Sequence, residues 1–226
     1  MRRIRAGWWL AALLGLPALP PLRGLFESSM ALLMLALLPG LFAAGCLLPH
    51  VLAARWAPRR RARALVRLRP HALALLVAAS AGYGVWMLPI AIDLSRMAWP
   101  LGVARDVSVC AAGLAAALAV RLAPWPLVLF FGGNLVWMGL TFGILFVDAP
   151  ARLCASYLLD DQRVAGAGLI VLSLGLGGWL LAWAARQADA APSAGMRKKL
   201  KKAGRLPIKA ANEKCHHKTG PDQSPA

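Results

Sequence analysis

The chain has 226 residues, 59% of them hydrophobic and 15% charged, with 26 Lys and Arg against 9 Asp and Glu and a net charge of +17. Soluble domains are about 45–50% apolar, so this composition excludes an ordinary water-soluble fold. In a polar chain such basicity points to nucleic acid. In an oily chain it points to cytoplasmic loops of a membrane protein, and no nucleic-acid partner is expected.

Six apolar segments follow in chain order, near 7–22, 26–48, 71–92, 103–122, 125–147 and 164–185. Each approaches the ~20 residues that a helix needs to cross a bilayer. Without water to bond the backbone, they must be helices or a closed barrel, and continuous apolar runs without strict alternation exclude the barrel. The expected fold is all-α: a polytopic membrane helix bundle of about six transmembrane helices over residues 1–187, embedded in the lipid bilayer, with both termini cytoplasmic.

The first segment is short and ends on Pro17, Pro20 and Pro21. Arg2, Arg3 and Arg5 before it suit the start of a cleaved signal peptide. No small-x-small cleavage site follows closely, which favours a retained helix. In the second segment Glu27, Met30 and Met34 share one helix face by their i, i+3, i+7 spacing. The loop at 49–70 holds seven Arg, flanked by His50 and His71. Met87 lies near the far end of the third segment, and Asp106 near the start of the fourth. The fifth carries Asn134 near its middle and the pair Gly139 and Gly143, whose spacing lets helix backbones approach closely in lipid. Asn134 is expected to hydrogen-bond to a neighbouring helix, because an unpaired amide in hydrocarbon is costly. Asp161 precedes the sixth segment. Residues 188–226 are basic and lack apolar periodicity, so they read as a disordered cytoplasmic tail drawn to anionic lipid.

With the N-terminus inside, 21 of the 26 basic residues fall on the cytoplasmic side and 5 outside, while 6 of the 9 acidic residues fall outside. The inverted topology would break the positive-inside rule. Glu27, Asp106 and Asp161 each begin a segment running inward from the outer face. They suit helix-terminal stabilisation or a carboxylate cluster that holds a cation or pairs with Arg105 and Arg163. Met30, Met34 and Met87 lie near the same level and are soft ligands suited to Cu(I), although Met is also common core filler. Copper is the one cofactor these residues suggest. The four Cys fall at different depths, so no pair is expected to meet the spacing of a disulfide. Cys215-His216-His217 in the tail lacks a fourth ligand. There is no Ser-His-Asp set, phosphate loop or zinc-protease motif, so no enzyme is expected.

Particular stretches carry a resemblance. Asp161-Gln162-Arg163-Val164-Ala165-Gly166 opens the last segment, Val85-Trp86-Met87-Leu88-Pro89 precedes Asp93, and Leu32-Leu33-Met34-Leu35 runs on to Pro39. With the apolar run around Gly113, these resemble the CtaG-type cytochrome c oxidase assembly proteins over roughly residues 8–185. The resemblance implies a multi-pass protein of the bacterial inner (cell) membrane that assists maturation of a heme-copper oxidase. It implies copper delivery or subunit maturation as the task, with oxidase subunits or a copper chaperone as partners. The family's histidines fall on Phe26, Met30, Met87 and Asp106, so a histidine site is lost. Either the site has changed to Met and Asp ligands or the metal has gone and the fold remains. A metal-free membrane scaffold and a small transporter are the alternative functions. The transporter is disfavoured by the scarcity of ionisable groups within the segments.

Overall fold

The computed structural model describes residues 20–53, 57–151, 153 and 157–203. All regular structure among them is helical. Helix α1 (Pro20–Glu27) is followed by α2 (Met30–Leu32), which passes through a π-helical turn at Leu33–Leu37 into α3 (Leu38–Ala53). Next come α4 (Pro58–Leu68), a 3-10 turn at Arg69–His71 and α5 (Ala72–Gly84). A second 3-10 turn, Val85–Met87, leads to α6 (Pro89–Met97), then α7 (Trp99–Leu122), α8 (Trp125–Asp148) and α9 (Leu159–Ala203).

Prolines set four of these starts. Pro58, Pro89, Pro100 and Pro126 stand in the first or second position of α4, α6, α7 and α8, where a missing N–H breaks no helical bond. Pro89 also forces the residue before it out of helical geometry. Leu88 is extended, at φ −73° and ψ 129°, and there the expected helix over 71–92 breaks.

Five stretches are long and apolar enough to cross a membrane: Met30–Val51, Ala62–Met87, Trp99–Leu122, Trp125–Asp148 and Leu159–Ala188. The described residues therefore hold five spans where six were expected. The remaining segment, 7–22, lies outside them except for its last residues, which belong to α1. The second span starts earlier than its sequence suggested because basic α4 runs on through the 3-10 turn into α5.

The chain divides into two compact units, Met1–Ala182 and Trp183–Ala226. In the second, the backbone is helical to Ala203. The tail read as disordered begins at residue 188, and its first part, 188–203, has a helical backbone. The Lys, Arg, Met and Ala of this stretch are strong helix formers. The rest of the expected tail, including Cys215, His216 and His217, lies outside the described residues.

Within the first unit, α7 lies against α3, α5 and α6, and α8 lies against α5. The α3–α7 contact is backbone-close. A Cβ added at Gly45 would strike the carbonyl of Cys110, and one at Gly113 would strike the carbonyl of Phe42. The expected close approach at Gly139 and Gly143 is present, with α9 as partner through Ser173 and Ile170. A buried apolar cluster joins Met30, Leu33, Met34, Leu37, Met87 and Phe146 to Tyr157 and Leu169.

Candidate functional site

Where α7 begins, charge is buried. Arg105 is 0% exposed, although it lies in an apolar span. All three of its guanidinium nitrogens are bonded. Nε donates to Asp106 Oδ1 at 3.0 Å, Nη1 to Ser95 Oγ at 3.2 Å and Nη2 to Glu27 Oε1 at 2.6 Å. Ser95 passes the chain on by donating to the carbonyl of Ile92 at 2.7 Å. Arg23, from α1, donates to Glu27 at 3.0 Å and stands 3.5 Å from Asp106. Gly102 makes room for it, since a Cβ there would meet the Arg23 guanidinium.

The result is a quartet of two guanidinium groups and two carboxylates, formally neutral. An isolated charge in so dry a place would cost several kcal/mol, about the scale at which a buried ion must be paired or neutralised. Glu27 lies outside the spans and shows the balance. Burial pushes its carboxyl up, but hydrogen bonds and charge from Arg105 and Arg23 outweigh this and hold it below the ordinary value of 4.5.

Asp161 has a different task. Oδ1 accepts from Ser29 Oγ at 2.7 Å, and Oδ2 accepts from the backbone N–H of Met30. It therefore caps the start of α2 from a helix 131 residues away in sequence. Ser29 adds its own cap by accepting from the N–H of Leu32. Gln162, 1% exposed, is the counterpart at a helix end. Its amide nitrogen donates to the carbonyl of Phe146 at 3.2 Å, and its oxygen accepts from the N–H of Leu153 at 2.9 Å. This satisfies one of the carbonyls that the last turn of α8 leaves free. Gly166 lets α8 and α9 cross closely, because a Cβ there would meet the carbonyl of Gly143. Trp86 donates to Ser108 Oγ at 2.6 Å, and Ser108 donates to the carbonyl of Arg105 at 2.9 Å. Tyr157 donates to the carbonyl of Glu27 at 3.1 Å, with Arg96 over its ring at 4.7 Å.

Of the three expected acidic residues, Glu27 and Asp106 are brought together by Arg105, whereas Asp161 is engaged with the start of α2. Arg105 was foreseen as a partner of the acidic residues. Arg163 was also foreseen, but it is exposed and 3.9 Å from Asp160. Arg23 was missed. Its i, i+4 spacing to Glu27 was the available signal.

Met30, Met34 and Met87 are all buried in the apolar cluster, with Met34 inside the π-helical turn. Asp106 does not fit a copper ligand, because Arg105 and Arg23 already hold its oxygens and a cation there would face two positive charges. Among the described residues, no three His, Cys, Asp or Glu gather into a metal-holding group.

The cysteines need one correction. Cys46 and Cys110 were read at different depths, yet both lie in the α3–α7 contact, where Cys46 Sγ donates to the carbonyl of Gly113 at 3.2 Å. Both thiols are free. His50, near the end of α3, takes a hydrogen bond from Arg121 at 2.5 Å. Comparison with known protein families, curated proteins and solved structures finds no match to this chain.

Proposed function

We propose that the protein is an integral membrane scaffold that assists assembly of a heme-copper cytochrome c oxidase by holding a protein partner rather than copper itself. The oxidase as client rests on the resemblance of the Asp161-Gln162, Trp86 and Pro89 stretches. The metal-free mode rests on one observation: Asp106, the candidate charged ligand, is enclosed with Glu27, Arg23 and Arg105 in a neutral quartet. In this reading the bundle sits in the bacterial cell membrane with its basic side to the cytoplasm. There the exposed arginines Arg59, Arg60, Arg63 and Arg67 of α4 attract anionic headgroups. The partner is an oxidase subunit or a copper chaperone.

Deletion of the gene in its host, with oxidase activity as readout, tests the client. Activity falls at replete and at limiting copper alike, and the double variant Met30→Leu/Met87→Leu restores it as the native chain does. Normal activity in the deletion strain at both copper levels overturns the oxidase reading. Stoichiometric Cu(I) binding by purified protein, abolished in the double variant, overturns the metal-free mode and leaves the client intact.

A further inference from the structure

Helix α8 turns one face away from the bundle, and that face is not uniformly oily. Phe130, Asn134, Trp137, Thr141 and Ile144 recur in steps of four, three, four and three. All five are exposed, Phe130 at 69%, Trp137 at 71% and Ile144 at 57%. Steps of three and four keep them on one face of the helix.

Asn134 gives the face its meaning. It lies near the middle of the span Trp125–Asp148, at the edge of that face where α8 and α5 form an open groove lined by Val77, Ser80 and Ala81. Expected to bond to a neighbouring helix, its amide instead has no partner among the described residues. Thr141 on the same seam is satisfied locally, donating to the carbonyl of Trp137 at 2.9 Å. An amide left open to hydrocarbon is costly, and polar side chains in such positions draw membrane helices together.

We propose that this face of α8 is the interface between two copies of the chain, packed in parallel about a two-fold axis along the membrane normal, with Asn134 bonded to Asn134. Copies inserted with one topology can be related by a two-fold axis only along the normal. Such a contact is isologous, so each seam residue on the axis meets itself at the same depth. A carboxamide carries both donors and an acceptor and so satisfies its own copy, which a carboxylate or an ammonium group cannot. A single Asn in a helix seam is a known device for fixing register and a two-stranded state. Beside it, Gly133 has open space where a Cβ would stand, which allows a second helix to come close. The inference is independent of the identity of any client.

The test uses the full chain in phosphatidylcholine–phosphatidylglycerol vesicles at low protein density, with single-molecule energy transfer between copies. The native chain forms dimers. Asn134→Leu weakens them about threefold to thirtyfold, the span measured for hydrogen bonds between membrane helices, while Asn134→Gln stays near the native affinity. In a chain with its four native cysteines changed to Ala, Thr141→Cys cross-links between copies. Val136→Cys does not, because Val136 faces Gly177 of α9. Unchanged melting of Asn134→Leu in detergent separates lost association from lost folding. The proposal is overturned if the native chain is monomeric throughout the density range, or if Asn134→Leu dimerises like the native chain. Equal cross-linking at both cysteine positions also overturns it. So does protection of Thr141→Cys from a lipid-soluble maleimide in monomers, which would assign the face to residues 1–19 of the same chain.

Discussion

Two polar places in an otherwise oily molecule are handled in opposite ways. At the start of α7, Arg105 is wholly buried and every guanidinium nitrogen has a partner within the chain. On the outer face of α8, Asn134 is exposed and has none among the described residues. The physical demand is the same, since neither a charge nor an amide tolerates hydrocarbon alone. Two short helices, α1 and α6, fold over the first place and supply Arg23, Glu27 and Ser95. Among the described residues, nothing folds over the second. A polar group that the chain itself satisfies is part of its architecture, and one that it leaves open points outward to another chain.

The comparison can be broken most sharply at Arg105. Arg105→Met leaves two buried carboxylates with Arg23 alone, and stability should fall by about 3–5 kcal/mol in detergent unfolding, as when one partner of a buried ion pair is removed. Adding Glu27→Gln and Asp106→Asn should recover much of the loss. A change below about 1 kcal/mol would mean that the quartet is not what holds this end together.

Asp161→Ala comes next. It removes the acceptor for Ser29 and for the N–H of Met30, and should cost about 1–3 kcal/mol, with faster hydrogen exchange at Met30. A third effect is smaller and depends on pH. Glu27 is held below its ordinary value of 4.5. Its contribution to stability is therefore complete above that value and lost as pH falls through the depressed folded value. Melting temperature should drop on acidification below about pH 4.5, and Glu27→Gln should flatten that slope. The smallest effect sharpens the contrast from the other side. Asn134→Leu should change the monomer's stability by less than about 0.5 kcal/mol, as for a surface position without contacts.

Most of the fold was readable as apolar length. The starts of α7 and α8 follow from Pro100 and Pro126, and the Gly139–Gly143 spacing correctly announced a close helix contact. The break before α6 was less visible, because the run around Pro89 stays apolar on both sides and only backbone geometry interrupts it. At the candidate site, sequence gathered Glu27, Asp106 and Arg105 to one level. It could not distinguish a carboxylate waiting for a cation from one already neutralised, since that depends on how α1 folds back to bring Arg23 to Asp106. Asp161 was read either as stabilising its own helix end or as a member of a carboxylate cluster. It serves the start of α2 instead, and such a long-range contact leaves no mark in local spacing. Cys46 and Cys110 were misplaced for a similar reason. Depth counted along each helix ignores how close Gly45 and Gly113 let the two backbones come.

The bond from Asp161 to Met30 also orders events in time. Translation runs from the N-terminus, so the span Met30–Val51 emerges while the residue that completes its cap is still unmade. Until residue 161 appears, the start of α2 has only Ser29 to satisfy its free N–H groups. The start of α9 is thus the clasp that closes the span Met30–Val51. A ribosome that stalls before it releases a chain whose defect is at the opposite end from the break, exposed where a membrane protease can find it.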